Sequence, residues 1–198
     1  MRRSTPTRLP GEAPLTSFPE AAGPNLGRLV EVLDRHGVEY LIVGGIAARA
    51  HGARRETQDL DCVIRRSRTN LGCLAEALKE LHAHLRVTGM SDEEMAALPV
   101  RVDAETLARS EISTWRTDAG DIDVLADIPA GAGARRTYED LLPRSARLDA
   151  GGVVVAVANL EDVIESKEWA NRDKDRAALP ELRELAERQD PNARSSPE

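Results

Sequence analysis

The stretch LIVGGIAARAHGARRETQDLDCVI, residues 41–64, restricts the fold more than any other part of the chain. It runs from an apolar strand into Gly44-Gly45, through a short helical segment closed by Gly52, and back into a strand that opens Asp59-Leu60-Asp61. Side chains alternate along a strand, so Asp59 and Asp61 share one face while Leu60 takes the other. A core has no use for two adjacent carboxylates, because buried charge without a partner is costly. A hard cation such as Mg2+ does have a use for them, since it is held by carboxylate oxygens together with phosphate and water. The pattern recurs at Asp121-Ile122-Asp123. If the two strands are neighbours, they make one oxygen-rich site, and alternation alone does not separate Asp121 from Asp123. Two ions a few ångströms apart would clamp the attacking and leaving oxygens of a phosphoryl displacement. Gly44 and Gly45, where a strand turns into a helix, would let backbone N–H groups approach a triphosphate that side chains would block.

The rest of the pattern supplies a scaffold. Asn25 is placed to cap a helix with Leu26, Leu29, Val30 and Leu33 on one face and Gly37 at its end. Residues 38–43 read as a strand, 46–52 as a short helix and 59–64 as the second strand. Leu71, Leu74, Leu78, Leu81 and Leu85 recur at three and four residues, which predicts a long amphipathic helix. Ser91 and Glu94 form a capping box for a short helix. EISTWRT and DIDVLADI read as a hairpin around Asp118-Ala119-Gly120, and ARLD with VVVAVA as a second around Gly151-Gly152. Asn159 caps a helix over 160–172, and Pro180 is read as the start of a last one. The order predicts an α+β fold, a small mixed sheet flanked by helices. One domain is expected over 25–189, its C-terminal helices over 160–189, between flexible segments 1–24 and 190–198.

VGG, thirteen residues, then DLDC resembles the signature of the polymerase-β-like nucleotidyltransferase superfamily. With Arg55 and Thr57 ahead of Asp59, the block is similar to the small bacterial nucleotidyltransferases grouped with the AbiEii and MenT toxins. The resemblance implies the superfamily's mixed sheet, with Asp59, Asp61 and, from GDIDVL, Asp123 as catalytic metal ligands. It implies nucleotide binding by Gly44, Gly45, Arg55, Thr57 and Lys167, with Asp175 supporting the site from SKEWANRDKDRAALPEL. The implied cofactor is two Mg2+ ions, with Mn2+ as a substitute. The implied reaction moves a nucleoside monophosphate from an NTP such as ATP to a hydroxyl, releasing pyrophosphate. The acceptor implied is the 3′ end of tRNA, and the partner a cognate antitoxin protein. A small-molecule acceptor such as an aminoglycoside or lincosamide, a protein acceptor, and a catalytically silent binding partner are the other readings.

Composition narrows the classes. A net charge of −7 gives no bulk attraction to nucleic acid, so a polyanion would need the local cluster Arg54, Arg55, Arg65, Arg66 and Arg68. The aromatics are Phe18, Tyr40, Trp115, Tyr138 and Trp169, too few for a single-strand stacking platform. Cys62 and Cys73 are expected as free thiols. No leader and no membrane span are expected, hence a cytoplasmic protein. Asp175 is also placed to pair with Arg172 one turn earlier. His51 is expected to pack or cap, and His82 with His84 lack a further ligand for zinc. For a drug acceptor, residues 91–105 are the expected pocket lining.

Overall fold

The computed structural model describes residues 16–17, 25–150 and 152–189. The expected flexible segments otherwise lie outside the described residues. Strand β1 is the residue pair Thr16–Ser17. Helix α1 (Leu26–Arg35) starts where the Asn25 side chain accepts the Arg28 N–H at 3.0 Å, and it buries Leu26, Leu29, Val30, Val32 and Leu33. Gly37, at φ +66°, turns the chain into β2 (Tyr40–Ile42), whose three residues are all buried. Helix α2 (Gly44–Ala50) opens on the glycine pair, as expected, and β3 (Asp59–Ile64) follows with the expected bounds.

Helix α3 (Arg68–Glu80) is shorter than its leucine stripe. Leu81 is its C-cap and His82 takes a left-handed φ of +49°. Leu85 therefore lies on β4 (His84–Leu85), opposite Trp115, and repeats the helical spacing without being helical. Helix α4 (Asp92–Ala96) carries the reciprocal Ser91–Glu94 capping box, and α5 (Ala104–Arg109) follows. Strands β5 (Ile112–Thr117) and β6 (Gly120–Leu125) form the expected hairpin.

Beyond β6 the expected single strand divides. β7 (Asp127–Pro129) pairs with β8 (Arg135–Thr137) in a separate ribbon, followed by α6 (Tyr138–Leu141). β9 (Ala146–Asp149) and β10 (Val154–Val157) are the second hairpin. Asn159 caps α7 (Leu160–Ala170) by accepting the Asp162 N–H at 2.7 Å, and left-handed Asn171 ends it. Helix α8 (Asp173–Gln189) starts seven residues before Pro180, counter to expectation. It runs through the proline because Ala178, Leu179 and Leu182 are buried on either side of it, so packing outweighs the one lost backbone hydrogen bond.

The strands form one eight-stranded mixed sheet in the order β1-β9-β10-β2-β3-β6-β5-β4. β3 and β6 are parallel neighbours, with Asp59 beside Asp121 and Asp61 beside Asp123. Leu60, Cys62, Ile122 and Val124 alternate with these carboxylates and are buried. The aspartate face opens instead on a cavity bounded by α2, α7, α8 and β7.

Candidate active site

The parallel register decides which carboxylates meet. One oxygen each from Asp59, Asp61 and Asp123 lie within 4.8 Å of one another. Asp121, on the same face, is turned away by two arginines: Arg116 Nε is 2.7 Å from Oδ1 and Arg86 Nη1 is 2.9 Å from Oδ2. The three converging carboxylates are undercompensated. Burial, then repulsion from Asp59 and Asp123, pushes Asp61 up to about 7, against the pull of Lys174 and the Gly45 N–H. Burial also raises Asp123, against a hydrogen bond from Thr114, and Asp59 adds to the rise. Asp123 Oδ1 is buried without a hydrogen-bond partner. Three clustered acidic oxygens, on residues one of which also holds an unpartnered buried oxygen, fit a divalent cation.

The glycine pair has a steric cause beyond its backbone donors. A Cβ on Gly44 would stand 2.0 Å from Asp61 Oδ2, and its φ of +62° is itself one that other residues rarely adopt. A Cβ on Gly45 would stand 2.6 Å from Thr57 Oγ1. Thr57 in turn donates to Asp59 Oδ1 at 2.9 Å. Gly44 thus makes room for Asp61, and Gly45 for the threonine that aims Asp59.

Cations approach from the loop before β3, from α7 and from the junction of α7 with α8. Arg55 lines the cavity and its Nη1 lies 3.4 Å from the Lys174 carbonyl oxygen. Lys167 Nζ is 3.2 Å from Asp175 Oδ1, and Arg172 Nε is 2.6 Å from Oδ2 of the same fully buried carboxylate. Burial would raise Asp175, but Arg172 and Lys167 hold it below the usual carboxylate range. The Asp175–Arg172 pair and the contact with Lys167 are therefore both present.

The cavity has a volume of about 600 Å³. Gly44, Gly45, Arg55 and Lys174 line it together with Asp59 and Asp61, and Ile112, Pro129 and Trp169 add apolar surface. Trp169 is 51% exposed and Ile112 58%. None of residues 91–105 lines this cavity, since α4 packs on β4 and α5 on α3. Nor do the five arginines stay together. Arg65 pairs with Glu39, while Arg66 donates to the carbonyls of Ser110 and Ala108. His51 packs, with Nε2 2.8 Å from the Ala158 carbonyl oxygen, and His82 Nδ1 meets Asp118. Lys174 and Trp169 were not singled out in the sequence. The only signal for Lys174 was its place beside Asp175, and for Trp169 the scarcity of rings.

The mixed sheet and its flanking helices, with the carboxylate cluster at their centre, have the fold of known nucleotidyltransferases. The lincomycin-bound crystal structure of the lincosamide antibiotic adenylyltransferase LnuA is similar at a TM-score of 0.52 and 11% identity, covering 81% of this chain and 96% of that one. The solution structure of the antibiotic-resistance factor ANT(2'')-Ia gives 0.48 at 17% identity, over 83% of this chain and 81% of that one. No family model matches the sequence, and no curated protein matches it. Among the described residues no helix is long and apolar enough to cross a membrane.

Proposed function

We propose that the chain is a metal-dependent nucleotidyltransferase, moving a nucleoside monophosphate from an NTP to a hydroxyl acceptor. The convergence of Asp59, Asp61 and Asp123, with Asp123 Oδ1 left unpartnered, carries this reading. These three carboxylates would hold the divalent ions, Mg2+ or Mn2+. Bound there, such ions neutralise phosphate charge and acidify a hydroxyl. The acceptor oxygen forms a bond to the α-phosphorus as the bond to the β-bridging oxygen breaks, and pyrophosphate leaves with the electron pair. Asp123, whose carboxyl is raised above the usual range by burial, would help take the acceptor's proton. Gly44 and Gly45 give the triphosphate close approach to the backbone, and Arg55 offsets charge as it moves to the leaving group. Thr57 acts through Asp59 by fixing its orientation.

A small hydroxylated acceptor is favoured by the net charge of −7 and by the placement of Arg65 and Arg66, which are held by Glu39 and by the carbonyls of Ser110 and Ala108 rather than lining the cavity. The similarity in fold to an enzyme with lincomycin bound supports the same acceptor class. The second reading, transfer to the 3′ end of tRNA by a toxin with a cognate antitoxin, rests on the GG-to-DLD block. The test offers the purified protein Mg2+ and each α-labelled NTP. Aminoglycosides, lincosamides, total tRNA and lysate protein are supplied separately as acceptors, with Asp61→Ala as control. Asp61-dependent label on any acceptor supports the activity and identifies the class. Absence of such transfer from every NTP to every acceptor sinks it in favour of a binding partner.

A further inference from the structure

We propose that Lys174, not Lys167, is the lysine that contacts the β- and γ-phosphates of the donor nucleotide, and that Lys167 is a positioning residue for Asp175. The inference rests on the nucleotidyltransferase reading and specifies its phosphate contacts. Resemblance places Lys167 at the triphosphate, and it lines the same cavity, but its ammonium is paired with Asp175. Its Nζ is 3.2 Å from Asp175 Oδ1, the Lys167 side chain is 16% exposed, and the Asp175 side chain is completely buried. Moving Lys167 to a phosphate would leave Asp175 to Arg172 alone, whose own side chain is 63% exposed. A buried carboxylate stripped of a partner is strongly unfavourable, so Lys167 is held in place.

Lys174 has no such commitment. It is exposed, lines the cavity with Asp59 and Asp61, and among the described residues makes no ion pair with a carboxylate. Its carbonyl oxygen accepts from Arg55 Nη1 at 3.4 Å, and both residues line the cavity. Two cationic residues in the cavity that also holds the carboxylate cluster suit a polyanion that a divalent ion would share. An ammonium on four flexible carbons can follow the pyrophosphate as it leaves, which a lysine clamped to a buried carboxylate cannot do.

The experiment measures binding of the four α,β-methylene NTP analogues with Mg2+, and of the four monophosphates, to the full chain and its variants. Lys174→Ala is expected to weaken the best triphosphate about 10- to 50-fold while leaving the monophosphate within about twofold. Lys174→Arg should restore most of that loss. Lys167→Ala should weaken both ligands alike and lower the melting temperature, as loss of an Asp175 partner requires. Unchanged triphosphate affinity in Lys174→Ala, with the parent binding normally, overturns this assignment alone. A triphosphate-specific loss in Lys167→Ala at parental stability also overturns it. Failure of the parent to bind any of the triphosphate analogues overturns both this assignment and the nucleotidyltransferase reading.

Discussion

Replacing Asp61 with Asn should abolish nucleotidyl transfer and yet make the metal-free protein more stable, increasingly so as pH rises. Asn keeps the shape and the oxygen that accepts the Gly45 N–H, but it removes a charge that burial, Asp59 and Asp123 all oppose. Asp61 titrates at about 7 in the fold against an ordinary 3.8. A folded-state value raised above the unfolded one means the penalty is absent below about pH 4, grows as pH rises, and is complete above about pH 7. Linkage puts it at ~2 kcal/mol at about pH 5 and ~4 kcal/mol at about pH 8. Asp61 opens on the cavity, and solvent screening there cuts these figures roughly in half. The variant should therefore melt ~4–8 °C above the parent at about pH 8 and ~2–4 °C above it at about pH 5, for a domain of this size. Thermal melts in chelator at both pH values measure the difference. Added Mg2+ should raise the parent's melting temperature at the higher pH and leave the variant nearly unmoved. A variant less stable than the parent at the higher pH, or a gain that does not grow with pH, would falsify the undercompensated-carboxylate argument.

Gly44→Ala puts a Cβ 2.0 Å from Asp61 Oδ2 at a φ of +62°. It should cost about 1–2 kcal/mol in strain, and it should lower kcat/KM about 100-fold by displacing the carboxylate; steady-state kinetics beside a melt separate the two effects. Asp121→Asn should leave transfer within about threefold, because Arg116 and Arg86 already occupy that side chain, whereas Asp123→Asn should remove activity; parallel assays under saturating Mg2+ decide between them. Asp175→Asn should destabilise by about 3 kcal/mol in urea unfolding near neutral pH, since it leaves Lys167 without its buried partner. Asp175 has a depressed folded-state value, so its stabilisation is present above about pH 4 and fades as pH falls through that value. The gap between parent and variant should shrink in acid accordingly.

The sequence by itself determined the elements whose causes are local. Asn25, Ser91 and Asn159 cap helices through their own side chains, and the alternation at 59–64 and 121–124 fixes which residues face the core. Local pattern also marked Gly44, Gly45, Asp59 and Asp61 as one block. Where an element ended against a distant neighbour, local pattern misled. Leu85 keeps helical spacing but is taken by a strand opposite Trp115, and Pro180 has the look of a helix start inside a helix that packing carries through.

Alternation could not separate Asp123, which the family resemblance implied, from Asp121; the tertiary structure brings Asp123 to Asp59 and Asp61. Two residues on one strand face are equivalent until the register of β6 against β3, and arginines from β5 and from beside β4, make them different. Likewise, Lys167 and Lys174 are two lysines on neighbouring helices until the fold seals Asp175 between α7 and α8 and commits one of them to it. A residue's face follows from the chain's own periodicity; its partner follows from which distant segment the fold brings against it.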